Sequence, residues 1–253
     1  LAVALLTQCT WPEHIPAESG MSEAPSLAHD KEVYIANVRQ LTFGGDNAEA
    51  YWAFNNDALV YQTTQPQAGI LCDRMVFTST RDGDLDLYTC DLDGQNVVRV
   101  TSELGYDGGA FFSSDGEWLV WRASRPSTPE EVAKYNGLLA KGMVEPTSME
   151  LFVARKDGSE MRQITELGGA NWAPFFHPDG RRILFSSNHA TGRFPFNIYM
   201  VDVTGENLTQ ITYDEAFDSF PMFSPDGTKL AFSSNRNNGR TRNTNLFVAD
   251  WVD

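Results

Sequence analysis

"FSPDGTKLAFSSNR", Phe223 to Arg236, sets an Asp-Gly pair between an apolar residue and a run that alternates apolar and polar side chains. Asp-Gly between alternating runs is a strong hairpin signal, because Gly accepts positive φ and Asp tolerates it. The stretch also holds a carboxylate, serines and a closing arginine, so it reads either as a chemical site or as a structural unit. Its relatives decide. "FFSSDGEWLVWRASR" covers Phe111 to Arg125 and "FFHPDGRRILFSSNH" covers Phe175 to His189, with a degenerate copy, "AFNNDALVYQTTQ", at Ala53 to Gln65. A nucleophile does not recur copy by copy, whereas a turn does.

A second hairpin follows each first one at a fixed offset. It reads "DLYTCDLDGQNVVRVT" from Asp86, "ELFVARKDGSEMRQIT" from Glu150 and "NIYMVDVTGENLTQIT" from Asn197. "ANVRQLT", Ala36 to Thr42, preserves only the last strand of such a unit. Asp115, Asp179 and Asp226 lie 64 and then 47 residues apart, and Asp93, Asp157 and Thr204 repeat both intervals, so whole units were gained or lost. Units of about 40 to 50 residues with four strands each predict an all-β propeller. Blades packed around an axis bury both faces of each sheet and leave only short edges.

These motifs resemble the TolB-like propeller repeat at Pro221 to Arg236, at Leu87 to Gly94 and Ile198 to Gly205, and at Arg99 to Thr101 and Arg162 to Thr165. The resemblance runs from about Val38 to the C-terminus. It implies a propeller, usually of six blades, in exported TolB-type proteins or beside the hydrolase domain of prolyl-oligopeptidase-type peptidases. About four repeats are present here. After "LVYQTT" the chain runs through "QPQAGILCDR", Gln65 to Arg74, into "MVFTSTRDG", the second strand of another unit. That junction reads as an internal excision leaving two mismatched blade edges, with ring closure open.

One blade carries an insertion, "SRPSTPEEVAKYNGLLAKGMVEPTSM", Ser124 to Met149, between its second and third strands. Thr128-Pro129-Glu130-Glu131 is a capping box, with Pro at the first helical position. Val132, Tyr135, Leu138 and Leu139 share a face, and Gly142 is a stop signal, so a helix is expected over 129–141. It reads as a cap packed on the loops beneath it or as a lid or partner-binding element.

The 253 residues are 42% hydrophobic and 12% aromatic, with a formal net charge of −15. Such a surface repels nucleic-acid phosphates and anionic lipid head groups. No apolar run reaches transmembrane length. "LAVALLTQC", Leu1 to Cys9, resembles the tail of a secretory signal, with Cys9 a lipidation candidate, and residues 1–30 read as signal remnant and linker ahead of a propeller domain over 31–253. The expected location is periplasmic or extracellular, with a lipid anchor if Cys9 is modified. There Cys72 and Cys90 could form a disulfide.

Hydrolase chemistry finds no G-x-S-x-G motif. "RDGDLD" places Asp82, Asp84 and Asp86 as in calcium loops, but the glycine and distal glutamate of that pattern are missing, and turns favour Asp anyway. The histidines His14, His29, His177 and His189 lack ligand spacing, and His177 reads as a turn residue. No cofactor or metal is expected. Aligning the repeats yields two rings of polar residues. Asn47, Asp107, Asn171 and Asp218 precede the first strands; Arg81, Arg125, His189 and Arg236 follow the second strands, with Gln65 in the degenerate copy. They read as pairs stapling neighbouring blades, as a polar funnel for a ligand, or as both. Trp172, Phe217 and Phe220 add aromatic residues to the same rim, the kind that protein-binding centres favour.

The leading expectation is a non-catalytic exported scaffold that binds a protein or peptide, envelope proteins among the candidates, at the channel face. One alternative is a peptidase-type propeller without its hydrolase domain, against which "LFVADWVD", Leu246 to Asp253, reads as a terminal strand. Another is a metal-dependent carbohydrate-active propeller using His189 and the arginines.

Overall fold

The repeat hairpins fold as their alternation demands. The computed structural model describes residues 27, 29–40, 50–52, 59–61, 74–91, 94–238 and 243–252, with the backbone course alone at 50–52 and 59–61. Expectations placed on residues 1–26 (lipidation at Cys9 and His14 included), Asn47, Gln65 and Cys72 lie outside these residues, as does Asp93. Cys90 is buried.

Chain order begins with β1 (Ile35–Gln40), β2 (Ala50–Trp52) and β3 (Leu59–Tyr61). Next come β4 (Arg74–Ser79), β5 (Asp86–Asp91) and β6 (Val98–Arg99). The third group is β7 (Asp107–Phe112), β8 (Trp118–Ala123), the helix α1 (Pro129–Leu139), β9 (Glu150–Arg155) and β10 (Arg162–Gln163). The fourth is β11 (Asn171–Phe176), β12 (Arg182–Ser187), β13 (Asn197–Asp202) and β14 (Thr209–Gln210). The last is β15 (Asp218–Phe223), β16 (Lys229–Ser234) and β17 (Asn245–Trp251).

Two blades are complete within one stretch of chain, β7–β10 and β11–β14. A third is completed across the chain: β15, β16 and β17 gain their fourth strand from β1, which pairs antiparallel with β17. The lone N-terminal fourth strand legible in the sequence is thus a clasp for the last blade. β4–β6 form a three-stranded sheet and β2–β3 a two-stranded ladder. β2 packs against β15 and β16, and β4 against β7.

The Asp-Gly turns are turn chemistry. Gly227 sits at φ +73° and donates to the Ser224 carbonyl at 2.8 Å. Asp226 accepts from Ser224 Oγ at 2.7 Å and from Thr228 N at 3.0 Å, and these bonds hold its carboxyl below the usual carboxylate range. His177 substitutes for that serine; its Nδ1 accepts from Asp179 N at 3.1 Å. The threonine closing each unit has a task too. Thr101, Thr165 and Thr212 each accept, through Oγ1, the amide of the second residue of a third strand, at 2.9, 2.8 and 2.9 Å.

The core lies between blades. Leu184, Ile198, Met200 and Ile211 of one blade pack with Phe223, Leu230, Phe232 and Phe247 of the next. Equivalent clusters join β7–β10 to each of its neighbours.

The helix forms where its capping box predicts. Thr128 Oγ1 accepts from Glu131 N at 3.2 Å, and Glu131 Oε2 accepts from Thr128 N at 3.0 Å. It ends two residues before the expected boundary. Gly142, at φ +69°, then donates to Leu139 O while Met143 N reaches Leu138 O, a glycine-terminated stop.

Candidate functional site

Each complete blade builds one constellation from the two aligned rings. First-strand starts lie opposite second-strand ends: Asp107 opposite Ala123, Asn171 opposite Ser187 and Asp218 opposite Ser234. The cationic position is two residues further on, so the rings meet inside one blade. Pairing between neighbouring blades, the expected staple, is corrected by this register. Arg125 Nη2 donates to Asp107 Oδ1 at 2.8 Å, and Arg236 Nη2 to Asp218 Oδ2 at 2.7 Å. At the histidine, Ser187 Oγ bridges: it lies 2.7 Å from Asn171 Oδ1 and 2.9 Å from His189 Nδ1. The side chains at the second position lie against third-strand aromatic rings, Arg125 at 4.7 Å from Phe152 and His189 at 4.5 Å from Tyr199.

Asp107, Asn171 and Asp218 are fully buried. Burial pushes the Asp107 carboxyl up to about 6 against the opposing pull of Arg125, and its Oδ2 has no partner in the structure. Burial also raises Asp218 and lowers His189. Arg236 is 4% exposed. Burial works against its charge, but Asp218 and Glu32 hold it firmly protonated. Its Nη2 reaches Glu32 Oε1 at 3.1 Å, and its Nη1 reaches the Leu27 carbonyl at 3.0 Å. That guanidinium therefore locks the segment before β1 onto the last blade.

Arg81 differs. Its Nε donates to Ser79 Oγ at 3.3 Å, and its guanidinium lies over Tyr88 at 4.7 Å and Phe77 at 5.1 Å. Among the described residues it has no carboxylate partner, because β4–β6 lack the strand that would begin with one.

A cavity of about 550 Å³ lies among β4, β7, β11 and β15. Its wall is apolar and aromatic, with Val76, Phe111, Trp172, Phe220 and Met222 prominent and Arg122 as its charged residue. Arg122 Nη2 makes a long hydrogen bond to the Tyr106 hydroxyl, 3.4 Å, and its Nε has no partner. Sister blades carry Thr78, Ser186 and Ser233 at this position. The arginine was visible in "WLVWRAS" as a charge inside an apolar run, and the ring alignment passed over it.

Of Trp172, Phe217 and Phe220, Phe220 lines the cavity with Trp172, and Trp172 and Phe217 join an aromatic cluster. Trp172 stacks on Phe196 at 4.5 Å, Phe196 meets Phe217 at 5.4 Å, and Phe194, 69% exposed, caps both at 5.7 and 6.1 Å. Phe194 and Phe196 were legible only as "RFPF", without a repeat to flag them. The insertion straps three blades together. The Tyr135 hydroxyl donates to Asp84 Oδ1 beside β5, and the Pro146 carbonyl accepts Trp172 Nε1 at 2.8 Å.

Asp82 accepts from the Tyr88 hydroxyl, Asp84 from the Gly105 amide and Asp86 from Arg99, whose Nε also lies 4.0 Å from Asp82. Among the described residues no group of His, Cys, Asp and Glu side chains converges as a metal would need, and no helix is long and apolar enough to cross a membrane.

The TolB beta propeller domain family matches residues 143–242, from the end of the insertion through β16. The chain is a β-propeller similar to that of TolB proteins. A TolB homologue of Chlorobium chlorochromatii is 26% identical over 157 residues, 53% of this TolB-like chain and 35% of that protein. The Tol-Pal system protein TolB of Desulfosudis oleivorans is 37% identical over 62 residues, 24% of this chain and 14% of that one. The crystal structure of TolB from Acinetobacter baumannii superposes with a TM-score of 0.49 at 17% identity, over 83% of this chain and 44% of that one. The TolB-like chain thus spans about a third or less of the length of these curated relatives.

Proposed function

We propose that the protein is a non-catalytic, exported scaffold that binds a protein or peptide at its channel face, near the cell envelope. The observation that carries this reading is the continuity of the Phe194–Phe196–Trp172 cluster, exposed at Phe194, with an apolar cavity holding one under-used guanidinium, Arg122. Aromatic anchors around a desolvated pocket with one oriented donor are what a protein ligand needs. In this reading the buried Asp107–Arg125, Asn171–His189 and Asp218–Arg236 sets hold the mouth in shape, and Arg81 and Trp172 are the members of the rings and rim left for a ligand.

Panning a random peptide library on the full chain tests it. Selected peptides should lose about tenfold or more in affinity to Trp172→Ala or Phe194→Ala, as hot-spot residues do. Binders indifferent to both substitutions, or turnover of peptide or glycoside substrates that Trp172→Ala leaves intact, would overturn it.

A further inference from the structure

Among the described residues the β4–β6 sheet lacks the strand that stands first in the three complete blades. Val76 packs toward β7–β10, while Met75, on the opposite face, is 41% exposed where Leu119, Ile183 and Leu230, which hold its place in β8, β12 and β16, are buried against the preceding blade. The unfilled position is bordered by the cavity, which Val76, Phe77 and Thr78 line.

Backbone groups are available there. Val100 N donates to Leu87 O at 2.8 Å, so along β5 the groups of Leu87 and Thr89 face β6 and those of Asp86, Tyr88 and Cys90 face β4. In an antiparallel ladder the alternate residues point the other way. The amides and carbonyls of Arg74, Val76 and Thr78 therefore point out of the sheet, with no partner strand among the described residues.

The sister blades show what chemistry fills this position. Each first strand opens with Asp or Asn at the cationic site, then bulges at a residue of positive φ (Gly109, Ala173 or Phe220), and then runs apolar. Arg81, over its aromatic pair and without a carboxylate, is the half of that constellation still present.

The geometry points to a strand-addition site: the β4 edge takes an extended segment of a partner protein, antiparallel to β4, whose leading Asp or Asn reaches Arg81 and whose apolar residues cover Val76. Main-chain bonds supply affinity in this mode and the side-chain pockets supply specificity. The inference rests on the scaffold reading only in taking a protein segment as the occupant. Its test reads β4, so it can fail while rim binding stands, and the reverse.

The probe is a synthetic peptide of residues 105–113, "GYDGGAFFS", which spans β7. Added to the full chain, it should slow amide exchange at Val76 and Thr78 at least about tenfold. Affinity should fall about tenfold for the peptide carrying Asp107→Ala and equally for the chain carrying Arg81→Ala, with no further loss when the two are combined. Ser113 N bonds to Trp118 O at 2.9 Å, so alternation aims the Phe111 amide at the partner strand. A peptide N-methylated at Phe111 should therefore not bind, and this arm decides the matter if Arg81→Ala fails to fold. Undiminished binding of the N-methylated peptide overturns the proposal. So do Val76 and Thr78 amides already protected in the peptide-free monomer, which would mean the chain fills its own edge, or protected only in a dimer, which would mean a second copy does.

Discussion

The last blade and the β4–β6 sheet are built from one repeat and end in opposite states. Around Arg236 the repeat is over-supplied: Asp218 comes from its own first strand and Glu32 from the segment before β1, and all three are buried. Around Arg81 the same cation faces the same kind of aromatic ring with no acid at all among the described residues. The difference lies in the strands that arrive from elsewhere in the chain. A blade's polar constellation is complete only when its first strand is present, and its apolar faces are dry only when neighbouring blades cover them.

The contrast can be broken most forcefully at the arginines. Arg236→Ala leaves two buried carboxylates uncompensated and should cost about 3–5 kcal/mol. Arg81→Ala removes no ion pair and should cost under about 1 kcal/mol. Urea unfolding of the two variants measures both, and similar losses would erase the distinction. The apolar positions sharpen it next. Leu230→Ala, at a site with no exposure, should cost about 2–5 kcal/mol. Met75→Ala should stay below about 1 kcal/mol; a larger loss would show that Met75 is covered in solution.

The smallest effect is the pH dependence of Asp107. Its folded carboxyl titrates near 6, above its unfolded value, so the folded state binds the extra proton between about pH 4 and 6. Stability from this group is therefore present at low pH and lost as pH rises through 6. Asp107→Asn should flatten that slope by roughly 1–3 kcal/mol between pH 4.5 and 7, read as the difference between wild type and variant in urea midpoints at each pH. The difference isolates Asp107 from Asp115, Asp226 and Asp250, whose hydrogen-bonded carboxyls lie below the usual range and act with the opposite sign at lower pH. An unchanged slope would mean that Arg125 keeps Asp107 ionised throughout.

Local features were legible in the sequence because their causes are local. Asp226 and its counterparts announced hairpins, Thr128 and Glu131 announced a helix start, and the phase of each strand within its repeat followed from the turns. Pairing over long distance was not legible. Residues 36–40 could be read as a fourth strand, but nothing in them points to β17. The rings were found by alignment, yet their partners were misassigned to neighbouring blades, although antiparallel register alone sets the start of a first strand against the end of the second. Arg122 and Phe194 were missed because each departs from its repeat, and alignment rewards what recurs.

The β1–β17 clasp also has a consequence in time. Asn37 and Asp250, hydrogen-bonded across that pairing at 2.8 Å, lie 213 residues apart. At about 5–20 residues per second, a ribosome needs roughly 10–40 s to make the second after the first. Through that interval β1 is a made strand without a mate. The last blade must be the last to assemble, and a chain delivered unfolded and whole would be spared the wait that a chain folding as it is made cannot avoid.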